Sequence, residues 1–295
     1  MKTPVFLQPG DSVYVVATSG ALKELDNFHK GVDIWQKRGY QIKYADNWPN
    51  RFGYLAGTDE QRRQGLKQAL NDRDCQAILV ARGGYGSARL LEDWQWGETY
   101  KWIIGFSDVT GLLWSLARHG VGSLHAPLLT TLALEPQWSI DRLFAAVEGR
   151  ELPPLQGQGW NGKKATGWLL PANLTVATHL LGTSSQPDLK GAILALEDVT
   201  EAPYRIDRML TQWRMLGLLD DLAGIALGRF SRCEAPPDSP SFAVEEVLRD
   251  RLAGLPIPIV ADLPFGHDGV NATLPLGANV ELDAEKGSLE ILPSP

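Results

Sequence analysis

The chain has 295 residues, of which 44% are hydrophobic and 21% charged, and its formal net charge is −7. This length predicts about two domains, and an acidic chain without a basic cluster argues against nucleic acid or an anionic membrane as a partner. Cys75 and Cys233 have no further Cys or His at metal-ligand spacing, so we expect no metal site. No apolar run resembles a signal peptide or a membrane span, so we expect a cytoplasmic protein.

Strands and helices alternate through the first half of the chain. Thr58 is the expected N-cap of one of the helices, with Gln61 as its capping-box partner. This alternation is typical of a doubly wound parallel sheet with helices on both faces, whose ligands bind beyond the carboxyl ends of the strands. Buried strands are predicted at residues 12–17, 41–45, 75–81, 102–106 and 121–125.

The composition changes at residues 151–164, which are rich in Pro, Gly and polar residues and are interpreted as a linker. We therefore predict an N-terminal α/β domain over residues 1–150 and a C-terminal α/β domain over residues 165–295. The second domain is predicted to contain strands that close it in antiparallel fashion. Those closing strands are expected at residues 272–276, 279–282 and 288–292.

Ser107 lies between a predicted strand that ends at Phe106 and a predicted helix that begins near Val109. In this position its hydroxyl, the amide of Asp108 and the positive end of the helix would supply a nucleophile and half of an oxyanion hole. The competing interpretation is that Ser107 only caps the helix, as serine often does.

The glycine-rich segment Arg-Gly-Gly-Tyr-Gly at residues 82–86 follows a predicted strand and opens a helix. It has three interpretations: a dinucleotide loop of an oxidoreductase, a source of an oxyanion-binding amide that complements Asp108, or a tight turn. The dinucleotide interpretation is disfavoured because Arg89 stands where a third small residue would be needed.

An acid and a histidine complete the set of candidates. Glu197 ends a predicted buried strand and could orient a histidine, and Asp198 and Glu201 are alternatives that spacing does not separate. His125 and His267 both follow predicted strands and are expected in loops, where general bases are often found. The glycine-flanked loop around His267 favours it over His125, which remains an alternative.

Several segments along the chain form a recognisable set: residues 82–86, 105–108, 196–199 together with 203–210, 265–267 and 273–277. They span nearly the whole chain and include parts of both predicted domains. Taken together and in this order, they resemble the LD-carboxypeptidases. This family of serine peptidases comprises the muramoyl-tetrapeptide carboxypeptidases and also includes the microcin C self-immunity proteins.

The resemblance implies a catalytic triad shared between the two domains. Ser107 would be the nucleophile, His267 the general base and acid, and Glu197 the residue that orients it, with the amides of Gly84 and Asp108 as the oxyanion hole. It also implies a homodimeric cytoplasmic enzyme without metal or cofactor. Such an enzyme removes the terminal D-alanine of peptidoglycan tetrapeptides by cutting an L–D peptide bond, a step of murein recycling.

The chain departs from the family pattern at two places. Pro171-Ala172 stands where many members have Gly-Gly, and Ala126 precedes Pro127 where members often have glycine. Both departures concern substrate preference. Two alternatives to the carboxypeptidase function are kept. One is a microcin-immunity-like peptidase that cleaves a peptidyl-nucleotide amide, and the other is a non-catalytic muropeptide-binding protein.

Overall fold

The computed structural model describes residues 1–98 and 100–293. Within this part of the chain the secondary structure consists of strands and α-helices, with short 3₁₀ helices at Leu91–Asp93 and Ser107–Val109. The strands, β1 to β14, are Ser12–Val16, Gln41–Tyr44, Cys75–Val80, Trp102–Gly105, Ser123–His125, Leu155–Gln156, Gln158–Asn161, Lys164–Asn173, Ala192–Val199, Gly224–Ser231, Ile259–Ala261, Leu274–Leu276, Asn279–Asp283 and Ser288–Ile291. The α-helices, α1 to α9, are Leu25–Lys37, Asp59–Asn71, Ser87–Leu90, Thr110–Arg118, Leu129–Leu132, Gln137–Val147, Leu174–Leu180, Pro203–Met215 and Val244–Leu252.

The chain divides into two compact units, each built from more than one segment. The first unit comprises Met1–Glu151, Gly182–Pro187 and Ala272–Gly277. The second unit comprises Leu152–Leu181, Asp188–Asn271 and Ala278–Pro295. No described helix combines the length and the apolar character that crossing a bilayer requires.

The sheet of the first unit has the strand order β12-β5-β4-β3-β1-β2, and all its pairs are parallel except β12 with β5. The prediction that residues 272–276 close the second domain is therefore wrong for β12. That strand pairs with Ser123–His125 at the edge of the first sheet, where unpaired backbone groups accept a partner from any part of the chain.

The sheet of the second unit has the order β6-β14-β13-β8-β9-β10-β11-β7. The four strands from β8 to β11 are parallel, and antiparallel strands flank them on both sides. The predicted antiparallel strands near the C-terminus are present as β13 and β14. Both units thus have the α/β architecture that the alternation predicts.

The prediction of a linker at residues 151–164 is wrong, because these residues form the edge strands β6 and β7 and the start of β8. Its glycines allow close packing rather than flexibility. A Cβ on Gly159 would lie 1.7 Å from the carbonyl oxygen of Ala284, and one on Gly157 would lie 2.2 Å from that of Ala261. Composition alone does not distinguish a glycine that loosens a linker from one that admits a neighbouring backbone.

Candidate active site

Ser107 occupies a sharp turn at the carboxyl end of β4. Its φ is +64°, in the left-handed region that non-glycine residues rarely adopt. An N-cap serine has an extended backbone instead. This conformation therefore favours a nucleophile elbow, which is a strained strand-to-helix turn that presents the serine, over a simple cap. A short 3₁₀ turn, Ser107–Val109, leads directly into α4, whose first residue is Thr110. The helix dipole is therefore directed at the region of the serine.

The glycine loop lies against this elbow. A Cβ on Gly83 would lie 3.3 Å from both Cβ and Oγ of Ser107, and Gly84 has a φ of +111° that favours glycine. Ser87, just beyond the loop, donates its amide to Oδ2 of Asp108 at 2.8 Å and its hydroxyl to the Asp108 carbonyl. These bonds fix the loop relative to the elbow. Sequence reasoning did not identify Ser87, whose position after Gly86 indicated only a helix start.

A buried arginine forms hydrogen bonds that hold the glycine loop in place. Arg62 is fully buried and donates to the carbonyl oxygens of Thr18 and Gly86, the latter at 2.7 Å. Asp59 pairs with Arg62 and also accepts hydrogen bonds from Arg89 at 2.6 to 3.0 Å. The hydrogen bonds from Arg89, followed by those from Arg62, lower the pKa of Asp59 to about 2. Arg89 is thus part of an ion pair that holds the loop.

Glu197 and His267 form a hydrogen-bonded pair in the second unit. The distance from Nδ1 of His267 to Oε2 of Glu197 is 2.6 Å, and the Glu197 side chain is fully buried. The imidazole, on the loop after β11, has 16% of its surface exposed. A carboxylate in this position accepts the Nδ1 proton and makes Nε2 the basic nitrogen. This is the arrangement of a general base with its orienting acid.

Asn173 holds the other oxygen of Glu197. The parallel register of β8 and β9 pairs Asn173 directly with Glu197. Its Nδ2 donates to Oε1 of Glu197 at 3.2 Å and to Oδ1 of Asp198 at 3.1 Å, while its Oδ1 accepts from the amide of Val176 and caps α7. Sequence reasoning did not identify Asn173, because β8 is not among the predicted strands.

The two alternative acids are occupied elsewhere. Asp198 accepts hydrogen bonds from the amide and hydroxyl of Thr175 and from the amide of Val199. Burial, and then the charge of Glu197, raise the pKa of Asp198 to about 6. Glu201 lies 3.4 Å from Arg205. Glu197 is therefore the member of the three that contacts the histidine.

His125 is a core residue of the first unit. It lies within β5 rather than in a loop, is fully buried and packs edge-on against the ring of Phe106, with the ring centroids 5.6 Å apart. The expectation that it would be a loop residue is wrong, because it is the last residue of β5 and pairs with Leu274 of β12. Its burial makes it a poor candidate for a base that must reach substrate.

Neither a metal nor a thiol is favoured by the described part of the chain. Those residues include no group of three or more His, Cys, Asp or Glu side chains placed to hold a metal ion. Cys75 and Cys233 are both buried, and desolvation raises the pKa of each thiol, to about 11 for Cys233. Both thiols are therefore protonated near neutral pH and poor nucleophiles.

Comparison with known proteins identifies the family of this chain. Residues 13–126 match the LD-carboxypeptidase N-terminal domain, and residues 166–282 match the LD-carboxypeptidase C-terminal domain. The chain belongs to the LD-carboxypeptidase family. It is therefore a hydrolase of the carboxypeptidase class, and the resemblance drawn from its motifs is confirmed.

Curated relatives cover nearly the whole of this carboxypeptidase. It is 60% identical over 291 residues to a putative carboxypeptidase of Synechocystis, with 98% of this chain and 97% of the relative covered. It is 34% identical over 300 residues to the murein tetrapeptide carboxypeptidase of Pseudomonas aeruginosa, with 95% and 92% covered.

Solved structures confirm the α/β fold. The muramoyltetrapeptide carboxypeptidase of Oxalobacter formigenes matches with a TM-score of 0.85 and 27% identity, covering 96% of this chain and 99% of that one. The microcin C7 self-immunity protein MccF, in complex with aspartyl sulfamoyl adenosine, matches with a TM-score of 0.88 and 20% identity, covering 99% and 98%. The second likeness concerns the fold alone.

Proposed function

We propose that this carboxypeptidase uses a serine mechanism to cut the L–D peptide bond before the terminal D-alanine of peptidoglycan-derived tetrapeptides. The observation that carries the proposal is the 2.6 Å pair of His267 and the buried Glu197. The left-handed φ of Ser107 beside the glycine loop supports it. The substrate class is supported by the murein tetrapeptide carboxypeptidase among the relatives.

In the proposed mechanism, Oγ of Ser107 attacks the carbonyl carbon of the scissile bond while Nε2 of His267 takes the hydroxyl proton. The negative charge that develops on the carbonyl oxygen is bound by the amides of Gly84 and Asp108. Glu197 stabilises the imidazolium. The imidazolium then protonates the amine of D-alanine, which departs, and leaves an acyl-enzyme on Ser107. A water molecule, deprotonated by His267, hydrolyses that ester and restores the enzyme.

Mass spectrometry of a cleaved peptide tests this proposal. The substrate is the tetrapeptide L-Ala-D-Glu-diamino acid-D-Ala, and the enzymes are the wild type, Ser107→Ala and the matched control Ser184→Ala, which alters an exposed serine. The wild type and the control should release one alanine, and Ser107→Ala should lose turnover by up to about 10⁶-fold. A diastereomer that ends in L-alanine should remain intact.

Two outcomes would contradict different parts of the proposal. Undiminished cleavage by Ser107→Ala would refute the nucleophile. Absence of cleavage by folded wild-type protein would refute the substrate. An aminoacyl sulfamoyl nucleotide would then be tested in its place. If this compound is also recovered uncleaved, a binding role is the remaining alternative.

A further inference from the structure

A concave surface between α7 and α8 carries charged groups that the proposed mechanism does not use. The cavity has a volume of about 590 Å³ and lies entirely within the second unit. Its polar lining includes Thr175, His179, Glu201, Tyr204, Arg205 and Arg208. The lining of the cavity thus holds two guanidinium groups and a single carboxylate. This excess of cationic groups occurs in a chain whose net charge is −7, so the cavity differs in sign from the protein as a whole.

The two arginines have different surroundings. Arg205 donates from Nε to the hydroxyl of Tyr204 at 3.1 Å, and its Nη1 lies 3.4 Å from Oε2 of Glu201. Arg208 is exposed and stacks over the ring of Tyr204, with Cζ 5.3 Å from the ring centroid. In the described part of the chain no carboxylate lies within ion-pair distance of Arg208. Both guanidinium groups lie over the Tyr204 ring, but only the charge of Arg205 is compensated by Glu201. The donors of Arg208 are therefore available to a ligand.

The wall of the cavity is continuous with the support of the Glu197–His267 pair. Thr175 lines the cavity and donates its amide and hydroxyl to Oδ2 of Asp198 at 2.9 and 2.8 Å. Asp198 in turn shares the Asn173 side chain with Glu197. The cavity wall and the Glu197–His267 pair therefore belong to one hydrogen-bonded network.

We propose that this cavity is a subsite that binds a carboxylate of the peptide substrate, with Arg208 as its specificity-determining residue. The inference rests on the proposed function. A planar guanidinium binds a carboxylate through two parallel hydrogen bonds, which gives both affinity and orientation. With a diamino dicarboxylic acid as its third residue, the tetrapeptide offers its terminal carboxylate and the free carboxylates of its D-glutamate and of that third residue. The shared chemistry is a carboxylate, and the peptides used in the test distinguish its source.

The test compares the acid tetrapeptide with three forms amidated at the terminal, the D-glutamate or the diamino acid carboxylate. Each is assayed with wild type, Arg208→Gln, Arg205→Gln and Lys190→Gln. The last removes a charge from an exposed lysine of the same unit outside the cavity. Wild type should prefer the acid over one of the amides by about tenfold in kcat/KM. Arg208→Gln should raise KM by about tenfold with kcat nearly unchanged, and should abolish that preference. Arg205→Gln should raise KM by less and weaken the preference for the acid only in part. Lys190→Gln should behave as wild type.

Retention of every acid preference by a folded Arg208→Gln variant would overturn the subsite. If wild type cleaves none of these peptides, the proposed function fails separately. The subsite is then tested by calorimetric titration of the same intact tetrapeptide and its amides. A carboxylate preference that disappears in Arg208→Gln would support it, and equal binding by all forms would refute it.

Discussion

Replacing Asn173 with Asp tests the hydrogen bonds behind Glu197. The new side chain has nearly the same shape and keeps the oxygen that accepts from the amide of Val176. It lacks the Nδ2 group that donates to Glu197 and Asp198 at 3.2 and 3.1 Å. At high pH the change would place a third carboxylate in a site whose three members are at most 4% exposed.

The magnitude follows from the two bonds that are lost. A hydrogen bond to a charged group contributes about 1.5 kcal/mol, so losing both costs about 3 kcal/mol at pH 8. Burial and two neighbouring carboxylates raise the folded-state pKa of the new carboxyl group. A raised pKa stabilises the fold below the unfolded value of about 4 and loses that contribution as pH rises through the folded value. At pH 5 part of that contribution is present, because a protonated carboxyl group can donate a hydrogen bond to Glu197, so the cost is smaller than at pH 8.

Urea unfolding at pH 5 and pH 8, followed by the fluorescence of the 10 tryptophans, measures this difference. Thr58→Asp is the matched control, because Thr58 is an exposed N-cap that accepts from the amide of Gln61 at 3.2 Å. That variant should change the free energy of unfolding by less than about 1 kcal/mol at both pH values. Equal destabilisation by Asn173→Asp at pH 5 and pH 8 would refute the reasoning.

Two further substitutions test the supports of the site. Gly228→Ala should lower kcat by at least about tenfold. The Cβ of the new alanine would lie 2.4 Å from the carbonyl oxygen of Phe265 and would displace the loop that carries His267. Steady-state kinetics that match wild type would contradict this. Asp59→Asn should destabilise the protein by about 1 to 2 kcal/mol at pH 7, after allowance for partial screening. Because the folded pKa of Asp59 is lowered to about 2, its contribution is present above about pH 4 and is lost as pH falls through 2. Urea unfolding from pH 7 to pH 2 should therefore show the two proteins converging, and a constant difference would exclude the ion pair as the cause.

The strands of the first unit were predictable because buried parallel strands are marked by short apolar runs that end at glycine or polar residues. The predicted strands at residues 12–17, 75–81 and 102–106 agree with β1, β3 and β4 to within one residue at each end. The elbow at Ser107 and the adjoining glycine loop belong to the same local pattern, since a strand end and the following helix are determined within a few residues.

Edge strands were less predictable. β6, β7 and β12 are two to four residues long and pair with partners distant in the chain. Strands this short have little periodicity of their own, so pairing rather than pattern decides where they lie. The same limit explains the prediction of a linker where the structure has strands.

The sequence by itself determined the types of group that the site contains: a serine at a strand end, carboxylates after a buried strand and a histidine in a glycine-flanked loop. Which carboxylate meets the histidine was decided only by the tertiary structure. Glu197 and His267 are 70 residues apart, and the register of β8 with β9 places Asn173 beside Glu197. Glu197, Asp198 and Glu201 all carry a carboxylate and lie within five residues of one another in the sequence. Burial and hydrogen-bond partners, which arise only when distant strands pair, separate their roles.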